Sequence, residues 1–365
     1  MHTQSPGCGY GARDSDFDVT IERDCLMTIR RLDSCFVALS ESRGLAAASA
    51  QHAGLALAAL EERRFEDGEF KLRPLESVRG RAAYVLQALA ATPDVPLCER
   101  LVRFLFLING LRDAGASPRI ALVPYLAFAR KERRTQLRDP VNSRYVAELF
   151  EASGVDRLIA LDVHNPAALD NSFRIPVDHL TALPMFVDHV AARLPEARLA
   201  VASPDIGGIK RAQIFRELLE ARLGREVELA FVEKRRAQGV VSGGTLVGEV
   251  ANCEVIVLDD LCATGGTLIR AAGACHQAGA AAVHVAVTHW PLAAGLEKLM
   301  RTDNITSIVT TDSVGLSLQL PEPSAQTAKL TMLSIAPLLG QAVRRMEAGM
   351  PLAPLFSHWP VAFDD

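Results

Sequence analysis

Short runs with nothing polar inside them, such as LIAL at 158–161 and VIVL at 255–258, alternate along this chain with longer stretches of helical periodicity. A strand apolar on both faces has to be covered on both sides, which is the situation of a parallel sheet sandwiched between helices. Nine candidate strands follow from this pattern: Cys35–Leu39, Ala83–Leu86, Arg119–Pro124, Arg157–Asp162, Arg198–Ala202, Val227–Val232, Glu254–Asp259, Val283–Thr288 and Ser307–Thr311. Between them lie helical stretches such as Leu97–Ala114, Val141–Ser153 and Thr267–Ala278, the last stopped by Gly279. Strand–helix alternation of this kind specifies an α/β fold with doubly wound sheets. Nine strands are many for one sheet, and each half carries a strand ending in an acidic or His-bearing turn, LDVH and LDDL. Two similar α/β domains joined around Arg174–Pro184 fit best.

Composition narrows the functional classes. The chain has 365 residues, 49% apolar and 22% charged, which excludes a wholly disordered or collagen-like polymer. A balance of 39 Lys+Arg against 43 Asp+Glu leaves a net charge of −4, with no basic footprint for nucleic acid. The Ala-rich stretches Gly44–Leu60 and Ala271–Trp290 are interrupted by Gln and His, and neither offers the roughly 20 clean apolar residues of a membrane span. The seven cysteines, at 8, 25, 35, 98, 253, 262 and 275, contain no CxxC pair, which fits reduced thiols in a cytoplasmic protein. Met1–Leu26 is polar and acidic without a basic-then-apolar leader pattern. It reads as a disordered extension, or as a start placed too early with Met27 the true one.

The segment VIVLDDLCATGGTLIRAA, 255–272, concentrates the chemistry. An apolar strand runs into paired carboxylates, Asp259 and Asp260, then into the turn Ala263-Thr264-Gly265-Gly266-Thr267 that opens a helix. Backbone N–H groups at a helix N-terminus attract an anion, and glycine lets the backbone approach it closely. Carboxylates just upstream can hold the vicinal hydroxyls of a sugar whose phosphate sits in the turn. As a plain structural element, the same segment would be a strand–turn–helix with solvated acids.

This segment resembles the phosphoribosyl-diphosphate loop of the phosphoribosyltransferase superfamily, and the rest of the chain resembles the ribose-phosphate pyrophosphokinases. FEDGEF (65–70), ESVRG (76–80), VPYLAFARKERR (123–134), LDVHNP (161–166), FRIPVDHLTALP (173–184), SPDIGGIKRA (203–212) and EKRR (233–236) match family elements in order, so the resemblance spans roughly residues 30 to 347. It implies two tandem phosphoribosyltransferase-like domains, 27–178 on the ATP side and 179–347 on the ribose 5-phosphate side, followed by a tail at 348–365. The implied reaction is Mg²⁺-assisted transfer of a diphosphoryl group from ATP to ribose 5-phosphate. Such chemistry demands positioning and charge neutralisation more than covalent work by the protein. By resemblance, His164 and Asp205 contact the metal, Lys234 and Arg236 belong to a catalytic loop whose Gly-rich continuation could move as a lid, and Arg130 and Arg133 contact ATP. Phe65, Asp67 and Glu69 would reach the adenine of a neighbouring subunit, which implies a homo-oligomer. Bottom-up, FEDGEF is a turn with exposed acids, EKRR a solvated charge run and His164 a turn histidine.

Three departures mark the chain as a divergent member. Ala263 stands where many pyrophosphokinases carry a third Asp, Arg130-Lys131-Glu132-Arg133 replaces Arg-Gln-Asp-Arg, and NPAALDNSF after His164 is one residue longer than the common bacterial form. A Lys for Gln exchanges a neutral donor/acceptor for a charge and bears on nucleotide choice. Two other readings stay open on the sequence: a non-catalytic regulatory paralogue of the synthetase, and a phosphoribosyltransferase using the same loop.

Overall fold

The computed structural model describes residues 34–237, 240–315 and 327–357, with backbone only over 234–237, 240–244, 327 and 356–357. Met1–Leu26 and the HWPVAF segment of the tail lie outside the described residues. The first sheet is built from β1 (Cys35–Ala38), β2 (Ala56–Leu57), β5 (Ala83–Leu86), β6 (Arg119–Val123), β7 (Arg157–Leu161) and β8 (Val177–Leu180), all parallel, in the order β2-β1-β5-β6-β7-β8. A separate antiparallel hairpin of β3 (Leu60–Arg64) and β4 (Phe70–Pro74) is inserted after β2. The second sheet takes β9 (Leu199–Ser203), β10 (Glu228–Ala237), β11 (Val240–Val247), β12 (Glu254–Leu261), β13 (Ala282–His289), β14 (Ser307–Thr311) and β15 (Leu330–Leu333) in the order β11-β10-β9-β12-β13-β14-β15. Only β11 runs antiparallel there.

With the two hairpin additions set aside, both sheets have the strand order 2-1-3-4-5-6. The hairpin β3–β4 and the strand β11 fall at equivalent places, directly after the second strand. This is the duplication anticipated from the strand–helix pattern, and it makes the fold two tandem domains with mainly parallel sheets flanked by helices. The LDVH and LDDL turns are not copies of one another, since LDVH ends the fifth strand of its sheet and LDDL the third.

All nine expected strands form, within a few residues at their ends except β10, which continues beyond the expected Val232 to Ala237. The long central strands are buried along their length, as continuous apolar runs require: β1, β5 and β9 have no exposed residue. The strands absent from the sequence reading are β2, β3, β4, β8, β11 and β15. β3 (LEERR) and β4 (FKLRP) are charged because their hairpin is only partly covered, so neither carries the apolar run of a buried strand.

The helices α1 (Arg43–Ala53), α2 (Leu97–Asp113), α3 (Asn142–Ser153), α4 (Pro166–Ser172), α5 (Leu183–Arg193), α6 (Ile209–Leu223), α7 (Gly266–Gln277), α8 (Ala293–Met300) and α9 (Ala336–Glu347) cover the sheets. One hydrophobic cluster runs through both halves. It joins Phe36, Leu86, Leu122 and Ile159 of the first sheet to Val201, Ile256 and Val309 of the second by way of Phe186 on α5, Phe215 on α6 and Leu339 on α9. Although it ends the second half, α9 packs on α1 of the first. Glu347 at its end accepts hydrogen bonds from Ser34 Oγ at 2.8 Å and Tyr84 Oη at 2.6 Å.

The α1–α9 crossing depends on Gly340. A Cβ there would stand 2.4 Å from His52 Cβ and 2.8 Å from the Ser49 carbonyl. Gly340→Ala must therefore push the helices apart, and overpacking of this kind costs about 1–3 kcal/mol. A lowered urea midpoint in chemical denaturation is the expected result, and an unchanged midpoint contradicts the close crossing.

Candidate active site

The strand order of the second sheet reverses between β9 and β12, and in open α/β sheets the crevice at the carboxyl ends of such strands is where ligands bind. Asp205 follows β9 there, and Asp259 and Asp260 end β12. Asp205 Oδ1 accepts from the Gly208 N–H at 3.2 Å and so caps the short turn that leads into α6. That turn delivers Arg211, in the first turn of α6, whose Nη1 donates to Asp260 Oδ1 at 2.8 Å and stands 3.8 Å from Asp259 Oδ1. From the other half, His164, just beyond β7, places Nδ1 3.1 Å from Asp260 Oδ2. Asp260 is thus held between a cation of its own domain and a histidine of the other.

Burial opposes ionisation of Asp260, yet the His164 hydrogen bond and the Arg211 charge outweigh it and hold the carboxyl well below the usual range. Its neighbour behaves oppositely. Burial, the adjacent Asp260 charge and Asp205 together push Asp259 well up. His164 is raised in turn by its hydrogen bond to Asp260. The pairing leaves Nε2 of His164 as the ring nitrogen available to a ligand.

The turn after the carboxylates is shaped by close packing. Gly265 has φ +73°, and a Cβ on it would lie 2.9 Å from the Gly295 carbonyl; a Cβ on Gly295 would lie 2.4 Å from the Ala263 carbonyl. The Ala263–Thr267 turn is therefore seated on the start of α8, with only glycine tolerated at either contact. The N-cap of α7 is Gly265, which has no side chain to cap the helix, and a helix N-terminus of this kind attracts an anion. Cys262, at the base of the turn, is buried and its thiol is pushed up to about 12, which makes it a packing group and not a nucleophile.

Arg130 lines the same cleft as His164 and Asp260, together with Tyr125, Asp162 and His289. Arg133 is exposed on the same loop, and Glu132 accepts from Asn165 Nδ2 at 2.9 Å, tying this loop to the His164 turn. Phe65, Asp67 and Glu69 do not line the cleft. They form the exposed turn of the β3–β4 hairpin, closed by Phe65 N–H to the Glu69 carbonyl at 2.8 Å and by Glu69 N–H to Asp67 Oδ1 at 3.0 Å. Lys234 and Arg236 lie on β10, opposite Gly244 and Val241 of β11 with a register shift between them, and their side chains lie outside the described residues.

The sequence reading passed over Arg211, whose signal was its place six residues after the capping Asp205 in SPDIGGIKRA. It also passed over the joint behind the cleft. Asp162, at φ +37°, turns its carboxylate inward to accept from Thr181 Oγ1 and Thr288 Oγ1, both at 2.7 Å, and from Ala182 N–H at 3.0 Å. His289 Nε2 donates to the Leu161 carbonyl at 3.0 Å. Burial lowers the His289 pKa, and its Nδ1 lies 2.7 Å from Ser313 Oγ, which is also 3.0 Å from the Thr288 carbonyl. Of these bonds, Thr288 to Asp162 and His289 to the Leu161 carbonyl run between the two sheets, and they tie Asp162 into the structure.

The donor set fits a hard divalent cation such as Mg²⁺. Asp205 supplies a carboxylate beside Asp259, whose pKa is raised first by burial and further by the charges of Asp260 and Asp205. Among the described residues no group of three or more His, Cys, Asp or Glu is arranged to hold a metal ion. An ion here would complete its shell with water and substrate oxygens, as Mg²⁺ commonly does.

The His164–Asp260 pair makes a direct prediction. A histidine whose folded pKa is raised contributes stability that is complete below its unfolded value, about 6.5, and that is lost as pH rises through the folded pKa. By NMR titration His164 should titrate above an unperturbed histidine, and Asp260→Asn should bring it down. A His164 pKa that ignores the substitution contradicts the pairing.

Residues 34–154 match the model of the N-terminal domain of ribose phosphate pyrophosphokinase, and residues 180–321 match that of the phosphoribosyl transferase domain. A ribose-phosphate pyrophosphokinase of Caldanaerobacter subterraneus is 34% identical over 314 residues, covering 86% of this chain and 94% of the relative. Ribose-phosphate pyrophosphokinase 1 of Streptococcus pneumoniae is 33% identical over 323 residues, covering 87% and 95%. The crystal structure of phosphoribosylpyrophosphate synthetase from Mycobacterium smegmatis superposes with a TM-score of 0.77 at 30% identity, over 87% of this chain and 99% of that one. With its duplicated sheets, paired carboxylates and uncapped glycine turn, the chain belongs to the ribose-phosphate pyrophosphokinase family.

Proposed function

We propose that this chain catalyses ATP + D-ribose 5-phosphate → AMP + 5-phospho-α-D-ribose 1-diphosphate. The observation that carries this reading is the cleft in which paired carboxylates ahead of an uncapped helix N-terminus face His164 and Arg130 from the other domain. Asp259 and Asp260 accept from the 2- and 3-hydroxyls of the ribose, while the backbone of Ala263, Thr264, Gly265, Gly266 and Thr267 takes its 5-phosphate. Arg130 and Arg133 hold the ATP phosphates. The 1-hydroxyl oxygen then stands in line with the β-phosphorus; the new O–P bond forms as the bond between the β-phosphorus and the oxygen bridging to the α-phosphate breaks, AMP leaves, and the hydroxyl proton is released. His164 and Asp205 would hold Mg²⁺, which when bound neutralises phosphate charge. Lys234 and Arg236 stabilise charge on the transferring group.

The hairpin carrying Phe65, Asp67 and Glu69 does not reach its own cleft, which supports its serving the adenine site of a neighbouring subunit in a homo-oligomer. Placement in the cytoplasm is supported by the described cysteines, Cys35, Cys98, Cys253, Cys262 and Cys275, all of which are unpaired. No described helix is long and apolar enough to cross a membrane.

The test is AMP release from ATP, ribose 5-phosphate and Mg²⁺ by the purified protein. AMP should form together with an equal amount of phosphoribosyl diphosphate. Asp260→Ala should raise the KM for ribose 5-phosphate by about 10-fold or more, the usual scale for lost hydrogen bonds to a charged group. Lys234→Ala should lower kcat with a smaller effect on KM, because its partner charge develops in the transition state. Binding of ribose 5-phosphate without turnover would point instead to a regulatory paralogue, and an intact kcat in Lys234→Ala would remove that loop from the mechanism.

A further inference from the structure

The loop from Pro124 to Val141, between β6 and α3, contains no helix or strand, yet its backbone holds conformations that are costly for ordinary residues. Phe128 and Arg138 have φ of +65° and +67°, in the left-handed region where a side chain is strained. Such conformations persist only where surrounding contacts over-determine them. The contacts here converge on one carboxylate. Asp139 Oδ2 accepts from the Thr135 N–H at 3.0 Å, the Thr135 hydroxyl at 2.7 Å, the Gln136 N–H at 3.0 Å and the Lys131 ammonium. Lys131 Nζ also donates to Thr135 Oγ1 at 3.2 Å, and the Lys131 carbonyl accepts from the Ser143 N–H of α3 at 3.3 Å. This network holds the Asp139 carboxyl well below the usual carboxylate range, with the Lys131 hydrogen bond as the largest cause.

Lys131 is the residue at which this loop departs from the neutral amide of the family pattern it resembles, and its charge is directed along its own loop. Its neighbours point elsewhere. Arg130 lines the cleft with His164 and Asp260, Glu132 is anchored on Asn165, and Arg133 is exposed. Neither Arg130 nor Arg133 makes an ion pair among the described residues.

We propose that the Lys131–Asp139 pair is a clasp that pre-forms the nucleotide loop, so that Lys131 is a positioning residue acting through Arg130 and Arg133 and not itself a nucleotide ligand. The inference rests on the assignment of this loop to ATP and adds how the loop is held. A loop ordered before binding does not have to be ordered by the ligand, and the saving appears as nucleotide affinity. Opening the clasp therefore weakens ATP binding while the chemical step at saturating ATP is largely kept.

The experiment compares Lys131→Met, Asp139→Asn and the double variant with the unmodified protein. Three readouts are taken: Kd for ATP–Mg²⁺ by calorimetry, kcat and KM by AMP release, and the rate at which trypsin cleaves after Arg133, Arg134 and Arg138 without nucleotide. Each single variant should raise the ATP Kd and KM by a similar factor, about 10-fold, with kcat changed less than about threefold. The double variant should be no weaker than either single, as expected when both remove one shared interaction. Trypsin cleavage should accelerate in all three, and Lys131→Arg should restore most of the affinity. Thr135→Val, which removes one hydroxyl donor, should shift affinity in the same direction by less, and it serves if either other variant fails to fold. Loss of ATP affinity in Lys131→Met with none in Asp139→Asn makes Lys131 a direct ligand and overturns the proposal. Faster cleavage with unchanged ATP affinity overturns it also, by making the clasp merely structural. Failure of the unmodified protein to bind ATP at all would instead overturn the assignment of the loop, whatever the cleavage rates show.

Discussion

A buried negative charge shared between two domains organises this molecule. Asp260 ends the third strand of the second domain's parallel order, and its two oxygens are answered from opposite sides, by Arg211 of its own domain and by His164 of the other. Removing one partner from a buried ionic arrangement is costly, on the order of 3–5 kcal/mol, because the remaining charge is stranded. The arrangement therefore fixes how the end of β7 faces the end of β12. It also separates the two adjacent carboxylates, leaving Asp260 ionised and Asp259 raised.

The duplicated fold makes that encounter possible. Each sheet directs the carboxyl ends of its strands to one edge, and a second polar joint, from Asp162 to Thr288 and from His289 to the Leu161 carbonyl, locks the two edges together just behind the cleft. Away from these bonds, α9 returns to α1 through the close contact at Gly340. The halves consequently share one hydrophobic cluster, and the cleft is a feature of both halves together. Additions to the common strand order fall at the same topological place in each half. One is the hairpin bearing Phe65, the other the strand β11, which pairs with the part of β10 that carries Lys234.

Much of this was legible in the residues. Runs such as VIVL can be stable only as buried strands, and the carboxylates followed by a glycine turn state their chemistry locally, within a dozen residues. What was hidden depends on partners remote in the chain. LEERR and FKLRP become strands only because they pair with each other, and VDHL and LTML only because an edge of a sheet is open to them. Arg211 is 49 residues from Asp260, and nothing in IKRA names that carboxylate. Asp162, two residues before His164, accepts from Thr181, Ala182 and, across the sheets, Thr288, none of which LDVH names. Lys131 looked like a change in nucleotide contact until its ammonium was seen on Asp139, eight residues on.

The central claim is that the Asp259–Thr267 segment receives a sugar phosphate within reach of the other domain's arginines. A crystal structure with ribose 5-phosphate and a non-hydrolysable ATP analogue tests it most directly. The account predicts the 5-phosphate on the amides of Ala263–Thr267, the ribose hydroxyls on Asp259 and Asp260, and the nucleotide phosphates beside Arg130. A sugar phosphate bound elsewhere, with the α7 turn and both carboxylates untouched, would contradict it.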